Sequence, residues 1–175
     1  MSPGRAAAEV HGTAPAPVVS LERATRSCVQ RWEAPPERVL PLLTPRGEMA
    51  WAVGWEPDIR WQGPGNGEGT LFVTYSVGSS EAVWVLHTFD TAQPRVAYTY
   101  LVPGTLVVEV SVTLMALGEG RTRGEVRYTF TALSEAGNAR IAERSDEHFA
   151  AFMRDWEQQL NHFLRTGRKL AGTSR

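Results

Sequence analysis

From Glu81 to Ala132 apolar and polar residues alternate with a period of two, in runs separated by short turn-forming segments. The runs are Glu81–Asp90, Arg95–Val102, Thr105–Leu117 and Thr122–Ala132, broken by Thr91-Ala92-Gln93-Pro94, Pro103-Gly104 and Gly118-Glu119-Gly120. Connections this short join antiparallel neighbours, so the pattern predicts a meander of hairpins. Val96, Tyr98 and Tyr100 share one face of their strand, as do Leu106, Val108, Val110, Val112 and Leu114, and then Val126, Tyr128 and Phe130. Glu109, Ser111, Thr113, Glu125, Arg127 and Thr129 fall on the other face. A sheet with one apolar face needs a cover.

The cover is predicted at the C-terminus. Between about Ser134 or Asn138 and Arg165, Ile141, Ser145, Phe149, Phe152, Trp156, Leu160 and Phe163 recur along one helical stripe, and Gly167 is placed to end the helix. Upstream, Ser20–Glu33 puts Ala24, Cys28 and Trp32 on one side of a further strand, and Ala34-Pro35-Pro36 stops it. Pro35 and Pro36 suit the first turn of a short helix that carries Val39, Leu40 and Leu43 and runs to Pro45, with a second turn at Glu48–Trp51. Asp58–Gln62 and Thr70–Ser76 alternate like strands around Gly63-Pro64-Gly65-Asn66-Gly67-Glu68-Gly69. The alternation of Glu81–Asp90 does not decide its inward face, since Trp84, Leu86 and Thr88 compete with Val83, Val85, His87 and Phe89.

With 175 residues, 42% of them hydrophobic, the chain has room for one ordinary domain with a real core. We divide it into a disordered leader at 1–19, a domain at 20–167 and a flexible basic tail at 168–175. Lys and Arg (18) nearly balance Asp and Glu (19), which speaks against a nucleic-acid partner or adhesion to anionic lipid. Leu106–Leu117 is too short for a membrane-spanning helix and contains Glu109, so no membrane insertion is expected. The single cysteine, Cys28, allows no internal disulfide; together with a leader that has no uninterrupted apolar stretch, it predicts a cytoplasmic location.

A strand, two short helices, six further strands and a long C-terminal helix is an order that resembles the START-like helix-grip superfamily, SRPBCC. The residues that carry the resemblance are Trp32-Glu33-Ala34-Pro35-Pro36-Glu37-Arg38-Val39, the glycine loop before Thr70-Leu71-Phe72, and Phe89-Asp90 leading to Arg95-Val96-Ala97-Tyr98. Arg127-Tyr128-Thr129-Phe130-Thr131-Ala132-Leu133-Ser134, Trp156-Glu157 and Phe163-Leu164-Arg165-Thr166-Gly167 complete it. The resemblance spans Ser20 to Gly167. It implies an α+β helix-grip fold, in which a curved seven-stranded antiparallel sheet wraps the last helix, and a glycine loop at the mouth of the pocket. The superfamily includes polyketide cyclases and aromatases, ligand carriers, lipid-transfer domains and co-chaperone activators.

Such a sheet leaves a hollow beneath the helix. The residues expected to wall it are Trp32, Trp84, Tyr98, Tyr100, Val108, Val110, Tyr128, Phe130, Phe149, Phe152 and Trp156, although core packing would account for the same residues. Tyr98, Tyr100 and Tyr128 need hydrogen-bond partners if buried, from backbone or from a ligand. His87 and His148 are the histidines nearest the hollow; His11 and His162 lie away from it. No two of them stand at ligand spacing with a third donor, so no metal is expected, and no other cofactor is called for. No GxSxG elbow is present, and GPGNGEG lacks the ending of a phosphate cradle and precedes a strand.

The expected function is binding, transport or sequestration of a small hydrophobic or aromatic molecule. Two alternatives stand beside it. One is an enzyme of the polyketide cyclase/dehydrase type, with His87, Arg127, Tyr98 or Tyr128 moving protons; the other is a co-chaperone-like interaction module.

Overall fold

The computed structural model describes residues 20–65, 67–75 and 81–171. The leader at 1–19 lies outside them, as do Asn66, the segment 76–80 and the last four residues of the tail. The elements are β1 (Arg23–Trp32), α1 (Pro36–Val39), a 3-10 turn (Leu40–Leu43), α2 (Pro45–Glu48), β2 (Asp58–Trp61), β3 (Leu71–Thr74) and β4 (Ala82–Asp90). β5 (Arg95–Val102), β6 (Leu106–Gly118), β7 (Arg121–Ala132), α3 (Glu135–Glu143) and α4 (Asp146–Thr166) follow. The seven strands form one sheet in the order β1-β7-β6-β5-β4-β3-β2, with every pair antiparallel. The expected α+β architecture is what the chain adopts.

The alternation sets the faces. Val96, Tyr98 and Tyr100 of β5, Leu106 to Leu114 at even positions of β6, and Val126 and Phe130 of β7 are buried, while Glu109, Thr113, Glu125 and Arg127 are exposed. β4 was ambiguous for a structural reason: the register with β5 slips between Leu86 and Thr88. This bulge lets Leu86 and Phe89, an odd number of residues apart, both turn into the core and leaves His87 outside.

The single C-terminal helix expected from the stripe is two helices. Ser145 is the N-cap of α4 and accepts a hydrogen bond from the His148 backbone N–H at 3.1 Å, with Asp146 and Glu147 in the first turn. Capping and the helix dipole favour a start there over continuation of the helix. α3 ends at Glu143, and Arg144 takes a non-helical conformation between the two.

α4 is fastened to the outer edge of β1. Asn161 bridges the chain, accepting from the Glu33 N–H at 2.9 Å and donating to the Arg31 carbonyl at 2.8 Å, while Glu157 accepts from the Arg31 N–H at 3.1 Å. The buried Gln30 amide donates to the Met153 carbonyl at 2.7 Å. These contacts satisfy backbone groups that an edge strand would otherwise leave open. Trp32, fully buried, lies over Gly124 of β7, where a Cβ would stand 2.2 Å from its ring; only glycine allows this approach. Gly47 serves α2 in the same way, since a Cβ there would stand 2.1 Å from the Pro41 carbonyl oxygen.

Candidate functional site

Between the sheet and α4 is a cavity of about 760 Å³. Its size is in the range that holds a small organic ligand. Of the residues expected to wall it, Trp84, Tyr98, Tyr100, Val110, Tyr128, Phe130, Phe149, Phe152 and Trp156 border it. Trp32 and Val108 do not. Trp32 sits behind Trp156, edge-on at 6.2 Å between ring centroids, and Val108 is sealed inside the core.

The sheet supplies a ladder of rings. Trp84 stacks on Tyr100 at 4.0 Å and on Phe72 at 5.5 Å, and Trp55 meets both Phe72 (5.8 Å) and Trp84 (5.7 Å) edge-on. On β7, Tyr128 and Phe130 stack at 6.0 Å, and Phe149 of α4 meets Tyr128 edge-on at 5.6 Å. The Trp84 and Trp55 indole N–H groups donate to Thr74 Oγ1 and the Pro45 carbonyl, which fixes the rings. Phe152, expected on the buried stripe, is 46% exposed and lies at the rim; Met153 and Gln159 take buried places on that side of α4 instead. Trp156 is half-buried, with Trp51 edge-on at 5.2 Å on its core side and the cavity on the other. Gln159 accepts from the Val53 N–H at 2.7 Å and so ties the loop after α2 to α4, closing one end of the cavity.

The polar lining is what sequence pattern missed. Glu48, the last residue of α2, reaches the cavity beside Tyr98 and Tyr128, and its carboxyl makes no hydrogen bond or ion pair among the described residues. It is half-buried as a residue and borders the cavity, and desolvation raises its pKa well above the usual carboxylate range. Such surroundings favour the protonated carboxyl over the carboxylate. The available signal was its position, three residues before a buried Trp51 in a segment bounded by Pro45 and Pro57.

Burial raises all three phenols. Tyr98 is pushed up first by desolvation and then by Glu48, and its hydroxyl donates to the Leu43 carbonyl. Tyr128 is raised by burial, then by Glu48 and Tyr100, and Tyr100 by burial, partly offset by Arg144. The Tyr100 and Tyr128 hydroxyls have no hydrogen-bond partner among the described residues. At the other side of the Tyr128–Phe130 stack, the Arg144 guanidinium lies 5.7 Å from the Phe130 centroid, with Arg140 and the exposed His148 also on the wall. The cavity is apolar in its middle, acidic towards α2 and basic towards α3.

Other candidates fall elsewhere. His87 and Arg127 are exposed and do not border the cavity, so the proton-moving roles considered for them have no geometry here. The glycine loop does not stand at the mouth of this cavity. Gly65 and Gly67 instead line a second, smaller hollow of about 340 Å³ with Pro41, Thr44, Arg46 and Gln62, because Thr70 Oγ1 folds the loop back through bonds to the Gly63 N–H (3.0 Å) and the Gly67 carbonyl (2.5 Å). Among the described residues no three His, Cys, Asp or Glu side chains stand close enough to share a metal ion, and no helix is long and apolar enough to cross a membrane.

No protein-family model matches the chain, and no curated protein matches it. Solved structures do. Norcoclaurine synthase from Thalictrum flavum, in complex with dopamine and hydroxybenzaldehyde, is 10% identical, with 89% of this chain and 91% of that one covered at a TM-score of 0.59. A protein from Thermobifida fusca solved in solution is 17% identical, covering 85% of this chain and 99% of that one at a TM-score of 0.59. Ara h 8.0201 is 18% identical, covering 83% and 99% at a TM-score of 0.55. At such identities the likeness is one of architecture, and together with the seven-stranded antiparallel sheet under a long C-terminal helix it establishes that this chain has the helix-grip fold.

Proposed function

We propose that the protein binds one small, largely apolar or aromatic molecule in the cavity between sheet and α4. The observation that carries this reading is the cavity of about 760 Å³, walled by rings that are held in place by one another and by hydrogen bonds from the Trp84 and Trp55 indole N–H groups. A core that served only to hold the fold together would close such a space, since interiors pack to near-crystalline density. At about 25 cal/mol per Å² of apolar surface, a ligand burying a few hundred Å² gains several kcal/mol before association entropy is subtracted. The norcoclaurine synthase structure, with two small aromatic compounds bound in the same architecture, supports this reading.

Titration with an environment-sensitive naphthalene dye, competed by fatty acids, flavonoids and polyketide-like aromatics, tests it. We expect one-to-one, micromolar binding and a change in tryptophan emission through Trp84 and Trp156. If neither signal appears with the folded protein, ligand binding is wrong and the interaction-module reading takes its place.

One observation favours a second reading. Glu48, with its pKa raised and Tyr98 and Tyr128 beside it, is equipped to pass a proton to or from a reactive chain folded in the same space, as in a cyclase or dehydrase. Incubation with poly-β-keto thioester analogues, with products followed by mass spectrometry, tests this; products that form as fast with E48Q as with the unaltered protein would end it.

A further inference from the structure

Nothing in the fold makes use of the Glu48 carboxyl. α2 is capped by Thr44, and the indole N–H groups of Trp51 and Trp55 are taken by the backbone carbonyls of Leu42 and Pro45. The carboxyl forms no ion pair or hydrogen bond among the described residues. An apolar side chain or an amide would occupy the place at lower cost than an ionisable group lifted out of water. Its surroundings are aromatic, and ring faces attract cations as well as apolar surface. The cavity also gives a cation a direction, because Arg140 and Arg144 stand at the Phe130 side and would repel it from there, while Glu48 stands at the Tyr98–Tyr128 side.

We propose that Glu48 receives the protonated nitrogen of an aromatic amine whose ring system fills the apolar middle of the cavity. The inference rests on the ligand-binding reading above and narrows it to a chemical class. The Tyr98 phenol of β5 and the Tyr128 phenol of β7 both feel the charge of Glu48. Glu56 of the loop after α2, His148 and Asp155 of α4, and the two arginines make up the remaining charged lining. Burial favours the protonated form of the Glu48 carboxyl. The amine arrives already protonated, so seating it sends the Glu48 proton to solvent and leaves a carboxylate paired with an ammonium. Binding should therefore release a proton and tighten as pH rises towards the carboxyl's own raised pKa, then weaken once the free amine loses its charge.

The test compares 2-(1-naphthyl)ethylamine with its neutral counterpart 2-(1-naphthyl)ethanol by calorimetry at pH 6, in two buffers of different ionisation enthalpy, with the unaltered protein and with E48Q. We expect the amine to bind roughly tenfold or more tightly than the alcohol, with a net release of protons on amine binding and none on alcohol binding. In E48Q the preference for the amine over the alcohol and the proton release should vanish, and an unaltered far-ultraviolet circular dichroism spectrum with a cooperative melt shows that the variant is folded. If the alcohol binds the unaltered protein as well as the amine does, with no proton exchanged, the amine assignment is overturned and the ligand-binding reading stands. If neither compound binds it, and the naphthalene dye also fails, both are overturned. Should E48Q bind neither compound, the affinity ratio and proton count of the unaltered protein decide.

Discussion

Trp156→Ala separates a lined cavity from a solid core. The Trp156 ring meets Trp32 at 6.2 Å and Trp51 at 5.2 Å, both edge-on, on the side away from the cavity. Removing a tryptophan packed on every side costs about 3–5 kcal/mol, and with one side facing the cavity roughly half of that, about 2 kcal/mol, should be lost. The two aromatic contacts at about 0.5–1.5 kcal/mol each reach the same figure from the other direction. Urea unfolding followed by far-ultraviolet circular dichroism gives the loss, and a shift in melting temperature of roughly 4–8 °C should accompany it. A cycle with Trp51→Ala should return a coupling of about 0.5–1.5 kcal/mol, because the two rings share one contact. A loss above about 4 kcal/mol would mean that the ring is packed all round and the cavity filled, and one below about 0.5 kcal/mol that it holds nothing in place; either refutes the reasoning.

Gly124→Ala should destabilise by about 1–3 kcal/mol, because its Cβ meets the immovable Trp32 ring at 2.2 Å; the cost should shrink in a Trp32→Leu background, and an undiminished cost there would contradict the contact. The raised pKa of Glu48 makes the folded state hold a proton that the unfolded chain gives up, so stability should be greatest below the ordinary carboxylate pKa and fall as pH rises from there through the raised value. E48Q should flatten that decline in denaturation midpoints measured from pH 4 to 9, and an unchanged profile would place the carboxyl in water. Burial, with Glu157 nearby, pushes the Cys28 thiol up to about 11, so it should react with a disulfide reagent at pH 8 far more slowly in the native protein than in urea; equal rates would refute its shielding.

Periodicity determined most of the architecture, because it reports which side of an element faces water. The strands β5 and β7, and β6 as far as Leu114, alternate without interruption, and their inward residues are those expected. Where a local event breaks the period, the pattern is mute: the bulge at His87 shifts β4 by one position, so both faces of that strand look half apolar until its pairing with β5 is known. Ser145 misled for the opposite reason. A small polar residue is tolerated on a helix stripe, and only the backbone around Arg144 reveals it as a cap between two helices.

The rings of the cavity were legible in the sequence because aromatic residues on an inward face have few other places to go. Which of them border space and which are sealed in depends on contacts between distant segments, such as Gly124 making room for Trp32 and Gln159 holding the loop at Val53. Glu48 shows the limit most clearly. In sequence it is an acidic residue in a short polar turn, indistinguishable from one in water. Its chemistry comes from Tyr98, Tyr128 and α4, more than 45 residues away along the chain, which wall the cavity it borders and so raise its pKa by desolvation.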